Sequence, residues 1–246
     1  MDKRSVLRSL FLLLGAGTAI AQLQFRPMNV DLAPEGRNSS ATFTVSNPGQ
    51  EPIAVRLRIL TREIAEDGSE RQNPVDRGTF GLFPASVVLE AGQSRAVRLS
   101  WLGAARPERE LAYRILAEQV PVDFAAGAPG NDQVSIEILF RYLGAVYVKP
   151  ADVAPKVVAT VERTDAADRV NLVLENVGTE HVVIHNLRVT ITGPDASGPA
   201  FRVDDEQLKG LSAANMLASL RRVQPITLPP DFPDGPLAAE IDFEIK

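Results

Sequence analysis

Apolar residues recur at every second position along most of this chain, and that alternation constrains the fold more than any other feature. It is clean in Phe43 and Val45, in Ile53, Val55, Leu57 and Ile59, in Val97, Leu99 and Trp101, in Leu172 and Leu174, and in Ile241, Phe243 and Ile245. Successive side chains of a strand point to opposite faces, so a period of two gives each segment one apolar and one polar face, whereas a helix needs a period near 3.6. Turn signals punctuate the runs at Asn47-Pro48-Gly49, Asp67-Gly68, Ala91-Gly92, Asn176-Val177-Gly178, Gly193-Pro194 and Pro229-Pro230, at spacings that suit a sandwich or barrel. Only Glu206 to Leu220 collects helix formers, and Gly210, Ser212 and Asn215 within it argue against a long helix. The expected class is all-β.

One turn occurs twice. Val45 to Val55 and Leu174 to Ile184 share the pattern apolar-x-Asn-x-Gly-x-Glu-x-apolar-x-apolar. A strand, turn and return strand repeated about one domain length apart point to two sandwiches of related build, against the alternative that two common Asn-x-Gly hairpins coincide. Pro150 to Pro155 is the natural seam, because two prolines end one long strand and restrict the backbone before the next. The expected division is residues 22–150 and 151–246.

Ahead of these lies an address. Lys3, Arg4 and Arg8 outweigh Asp2, Leu10 to Ile20 is an apolar run of signal-peptide length, and Ala19-Ile20-Ala21 fits the small-x-small cleavage rule. Residues 1–21 therefore read as a signal peptide removed before Gln22. The run is shorter than the roughly 20 residues that span a bilayer, and no stable membrane insertion is expected. With 26 Lys+Arg against 31 Asp+Glu the chain carries a formal charge of −5 and no basic block, which argues against a nucleic-acid partner. The absence of cysteine removes disulfides, thiolate metal sites and cysteine nucleophiles together.

The sequence offers little for catalysis. His181 and His185 are the only histidines, and on a β-branched strand four residues span about 13 Å, too far for both imidazoles to share one ion. There is no Gly-x-Ser-x-Gly elbow, phosphate loop or dinucleotide fingerprint. Asp204-Asp205-Glu206 lacks the Gly-punctuated loop and closing Glu of a calcium site and reads as a solvated turn. No catalytic, cofactor-binding or metal-binding residue is nominated, no cofactor is expected, and the chain does not read as an enzyme.

The segment from Val134 is different in kind. Val134, Ile136, Ile138 and Phe140 fall on one face, Ser135, Glu137 and Arg141 on the other, and the run continues to Val148, well beyond the usual strand length. Periodicity alone leaves two readings: the four apolar side chains face their own core, or they are offered to another chain. An exposed apolar edge is normally designed against because it templates pairing, so a chain whose task is pairing is the kind that keeps one.

At this point the chain resembles the PapD-like periplasmic chaperones of the chaperone-usher pilus pathway. Pro84, Leu89, Gly92 and Val97-Arg98-Leu99 are similar to that family's Pro-x4-Leu-x2-Gly-x4-Val-Arg-Leu block, Glu110 to Val120-Pro121 to its Glu-containing strand, and Tyr147 to Pro150 to the end of its G1 strand. The resemblance implies two immunoglobulin-like sandwiches set in an L, located in the periplasm. It implies binding of pilus or surface-fibre subunits by donor-strand complementation through Val134, Ile136, Ile138 and Phe140, followed by delivery to an outer-membrane usher. An unoccupied edge of this kind also allows self-association. Arg98, Glu110 and Lys149 match the interdomain ion-pair positions, with Lys149 where Arg is usual. The family anchors the subunit's C-terminal carboxylate with an Arg on the first strand and a Lys near the end of G1, positions held here by Asn29 or a near neighbour and by Ala145. Arg26, Arg114 and Arg141 are the candidate anchors in their place. The alternative from another class is a secreted two-domain adhesion or ligand-binding module that uses its loops.

Overall fold

The computed structural model describes residues 23–121, 138–166, 168–195 and 198–245. The first half contains β1 (Gln24–Arg26), β2 (Asn29–Leu32), β3 (Ser40–Ser46), β4 (Ile53–Thr61), β5 (Glu63–Ile64), β6 (Glu70–Arg71), β7 (Phe80–Phe83), β8 (Ser86–Leu89), β9 (Ser94–Trp101), β10 (Leu111–Val120) and β11 (Arg141–Val148). The second contains β12 (Val157–Arg163), β13 (Arg169–Asn176), β14 (Val182–Thr192), β15 (Ala200–Arg202), β16 (Asn215–Met216), β17 (Arg221–Thr227) and β18 (Ala238–Ile245). Among the described residues there is no helix, and Glu206 to Ser212 is a run of turns opened by Asp204, whose carboxylate accepts from the Gln207 amide.

Two sheets, ordered β1-β3-β9-β7 and β2-β11-β10-β4-β8, face each other across one core. The alternation seen in the sequence does the packing: Phe43, Val45, Val97 and Leu99 from one sheet meet Val55, Leu57, Ile115 and Val146 from the other, all essentially sealed from solvent. Phe25 stacks on Phe43 with ring centroids 5.0 Å apart, and Phe80 meets Trp101 and Tyr113 edge-on. The second half repeats the plan with β12-β13-β17 against β14 and its partners β15, β16 and β18, around Leu172, Leu174, Ile184, Val189 and Ile191.

The repeated Asn-x-Gly turn is one device used twice. Asn47 Nδ2 donates to the carbonyls of Glu51 and Leu89 while its Oδ1 accepts from the Gly49 amide. Asn176 does the same with Glu180, Met216 and Gly178. Both asparagines are buried, at 1% and 0% exposure, so each satisfies backbone groups that water cannot reach.

Candidate functional site: an open strand edge beside the interdomain elbow

β11 is paired along its whole length with β10 on one side, Arg141 opposite Glu118 through Val148 opposite Leu111. On its other side β2 covers only Ala145 to Val148, in parallel. The backbone fixes what the uncovered stretch presents. The Gln119 amide donates to the Phe140 carbonyl, so the hydrogen-bonded pairs with β10 continue at Tyr142 and Gly144. The odd-numbered amides point the other way, as Ala145 to the Met28 carbonyl at 2.7 Å and Lys149 to Leu32 at 2.8 Å show. Arg141 and Leu143 therefore direct their N–H and C=O groups outward, and among the described residues no strand lies there.

Beside Arg141, the side chains flanking this edge include apolar ones left open to solvent. Ile138 is 60% exposed, Leu139 44% and Met28, at the entrance to β2, 39%. Ile138 has the parity of the core row Tyr142, Gly144 and Val146, but β10 ends at Val120, so it projects beyond the end of its own sandwich. Val134 and Ile136 lie outside the described residues. Phe140, expected with them, is half-buried and packs against the core of its own domain, because Gln119 still pairs with it there.

The three candidate anchors are not brought together. Arg26 is exposed on β1, which belongs to the other sheet. Arg141 is exposed opposite Glu118, and that carboxylate is already bonded to Arg58 at 2.6 Å. Arg114 lies in one row with Ala145 and Asn29, the positions that the resemblance singles out. Its guanidinium is engaged: Nε donates to Oε1 of Glu70 at 2.8 Å and Nη2 to Oε2 at 2.6 Å. Arg62 also donates to Glu70, at 2.9 Å, and Gln72 does so at 2.6 Å. Burial opposes ionisation of Glu70, but the hydrogen bonds from Arg114 and Gln72 and the charges of Arg62 and Arg114 prevail and hold its carboxyl at about 2.

Of the three residues expected at the elbow, Glu110 and Lys149 lie there and Arg98 does not. Lys149 pairs with Glu180 across the seam, and that bond outweighs the opposing desolvation to raise the Lys149 pKa. Glu110, buried at 5% exposure, accepts from the His181 amide at 3.2 Å and lies 2.6 Å from His181 Nδ1. Arg98 takes no part: it sits on β9 in the far sheet and donates to Ser40 Oγ at 3.0 Å. The alternation along β9 turns the Arg98 side chain to the exposed face.

The hub is Tyr147, which no motif in the sequence marks as a site residue. Its ring stacks on His181 at 3.9 Å with an interplanar angle of 3°, and its hydroxyl accepts from Arg62 and from Asn215, each at 2.8 Å. A second junction is made by the β5–β6 hairpin, where the Glu66 carbonyl accepts from the Val223 amide at 2.9 Å and from Arg222 Nε at 3.1 Å. Gly68 is required there: its φ is +88°, and a Cβ would fall 2.3 Å from the Arg222 guanidinium.

Two sandwiches tied at an elbow, one with a strand edge that no described strand covers along its first half, define a two-domain immunoglobulin-like fold. The sequence profile of the pili and flagellar-assembly chaperones, PapD N-terminal domain, matches residues 25–154, more than half of the chain. The chain belongs to this family of pilus-assembly chaperones. The fold is that of the class 5 fimbriae chaperone CfaA, with TM-score 0.55 and 13% identity over 91% of this chain and 99% of that one. It is likewise that of a chain in the CsuC-CsuE chaperone–tip adhesion subunit pre-assembly complex of Acinetobacter baumannii, with TM-score 0.54 and 12% identity over 82% and 89%. A chain of the SafA pilin–SafB chaperone complex of Salmonella enterica gives TM-score 0.51 and 16% identity over 93% and 91%. Among curated proteins no match is found.

Proposed function

We propose that this chaperone holds a pilus or surface-fibre subunit by lending it a strand, residues 134–144, in the periplasm. The observation that carries the reading is the edge of β11 at Arg141 and Leu143, with outward backbone groups and Ile138 and Leu139 exposed beside it. An incoming strand that pairs there satisfies those groups, while Val134, Ile136 and Ile138 continue the core-facing row into the partner's interior. Phe140 is the inner end of that row, anchoring the lent segment to its own core. Residues 1–21 direct export, residues 22–150 form the subunit-binding domain and residues 151–246 the second domain. Glu110, Lys149 and the Tyr147 hub fix the angle between them. Release to an outer-membrane usher is driven by exchange for a better-fitting strand, with no nucleotide and no catalytic step.

Co-expression of the full chain with candidate subunits tests the reading. A one-to-one complex that survives purification and is lost on changing Ile138 supports it. A complex unaffected by any change between Ile138 and Leu143 contradicts it.

A further inference from the structure

Glu110 is a carboxylate buried at the seam between the two sandwiches, with a side chain only 1% exposed, and it stands just before β10 in the first of them. Both hydrogen bonds to its Oε1 come from one residue of the second sandwich: the His181 amide donates at 3.2 Å, and His181 Nδ1 lies 2.6 Å away. Its Oε2 makes no hydrogen bond among the described residues. Among those residues its one ion-pair partner is His181. A buried carboxylate without a bonded cation is costly. The only group placed to become that cation is an imidazole, the side chain whose charge changes close to neutral pH.

The other charges around the His181 ring are matched elsewhere. Lys149 on β11 is bonded to Glu180, and that bond holds its ammonium above the ordinary lysine range, so it stays charged across neutral pH. Arg62, beyond the Tyr147 hydroxyl, is held by Glu70, and Arg109, next to Glu110, donates to Ser219 at 3.0 Å. Asp31 on β2 stands in register with Tyr147 and adds one more negative charge beside Lys149. From β16 the seam receives only the neutral Asn215. His185, four residues on, stands opposite Glu244 on β18. Glu110 therefore dominates the field at the His181 ring, and the Tyr147 ring stacked on it at 3.9 Å offers an aromatic face that also attracts a cation. Facing a carboxylate oxygen, Nδ1 carries a proton in either charge state, so the proton that comes and goes is the one on Nε2. The side chain keeps 21% exposure, which leaves it within reach of water.

We infer that His181 makes the cohesion of the two domains depend on pH: protonated, it gives the buried Glu110 a cation from across the seam, and neutral, it leaves that carboxylate uncompensated. The closed seam takes up a proton more readily than an opened one, in which the two groups are hydrated apart. By linkage, cohesion is fullest on the acid side of neutrality and is lost as pH rises. Its sign is opposite to that of Glu70, whose lowered pKa gives stability that is lost as pH falls. The inference concerns the seam and not the edge of β11, so it holds independently of strand lending.

The test is amide hydrogen exchange on the full chain, corrected for the intrinsic rate at each pH. It is read at the Glu110 amide, which donates to the Thr179 carbonyl across the seam at 2.9 Å. The Ile115 and Leu172 amides, each on a strand paired on both sides, report unfolding of the sandwiches themselves. Protection at Glu110 is expected to fall roughly fivefold to twentyfold from about pH 5 to about 8, in step with the titration of the His181 ring followed by NMR, while Ile115 and Leu172 hold. His181→Asn keeps a donor near the place of Nδ1 without a titrating ring, and is expected to stay flat at the parent's level at the alkaline end. Glu110→Gln keeps an acceptor without the charge and is expected to be flat as well, whereas His185→Gln should follow the parent. A parent profile that is flat or rises with pH overturns the inference, and so does a fall that survives in His181→Asn or Glu110→Gln. Where one variant loses protection at Ile115 or Leu172 and so fails to fold, the other variant and the parent's agreement with the ring titration decide.

Discussion

Replacing Ile138 by glutamate separates a lent strand from an ordinary core strand. At 60% exposure the side chain has little to lose inside its own domain, and a charge there stays hydrated, so the expected change in stability is within about 0.5 kcal/mol. Fully burying an isoleucine is worth roughly 1.5–3 kcal/mol, so covering the exposed part against a partner contributes about 1–2 kcal/mol. Glutamate forfeits this and adds the desolvation of a carboxylate in an apolar groove, at least another 1–3 kcal/mol. A total near 3 kcal/mol weakens subunit binding about a hundredfold or more. Thermal unfolding and co-purification with the subunit, measured on the same variant, give the answer. Parental melting with lost binding is the expected pair, whereas a melting point lowered by ten degrees would return Ile138 to its own core and refute the reasoning.

Asn47→Ala removes three hydrogen bonds in a buried turn and leaves the Glu51 and Leu89 carbonyls unpaired, so a loss of about 2–4 kcal/mol is expected in denaturant unfolding. Asn176→Ala should cost the second domain a similar amount. Gly68→Ala places a Cβ against Arg222 at a positive φ; freeing the hairpin from β17, it is expected to raise hydrogen exchange at the Val223 amide without unfolding either sandwich. Folding lowers the pKa of the Glu70 carboxyl from the ordinary 4.5 to about 2, so between those pH values the unfolded chain binds the extra proton. Its contribution, of order 1–2 kcal/mol after discounting for solvent screening, is complete above pH 5 and lost as pH falls toward 2. Stability curves of the parent and Glu70→Gln are expected to converge over that window, and parallel curves would count against the pair.

The alternation of apolar residues was enough to read the class, and the doubled Asn-x-Gly pattern was enough to read two sandwiches, because both are local rules with one structural answer. Asn47 and Asn176 perform the same bonding at the two sites, which is why the echo survived in sequence. The sequence reads one overlong apolar strand from Val134 to Val148, whereas the described strand runs only from Arg141 to Val148; periodicity could not say where β10 stops, and that end decides why Phe140 is packed and Ile138 is not. Charged partners were less legible. Arg98 and Lys149 looked equivalent by alignment, but sheet membership places one on a solvated face and the other at the elbow. The Asp67-Gly68 turn announced a hairpin, yet nothing local says that its Glu70 reaches Arg114, 44 residues away. Tyr147 gave no signal beyond an aromatic residue near the end of a strand, since its role comes from three partners on separate segments, Arg62, His181 and Asn215.

Amide hydrogen exchange along β11, with and without a bound subunit, tests strand lending most directly. In the free protein the Tyr142 and Gly144 amides face β10 and should exchange slowly, while Arg141 and Leu143 face outward and should exchange quickly. Loading should slow Arg141 and Leu143 by at least an order of magnitude and leave Tyr142 and Gly144 as they were. A stable complex in which Arg141 and Leu143 exchange as fast as in the free protein would contradict pairing at this edge.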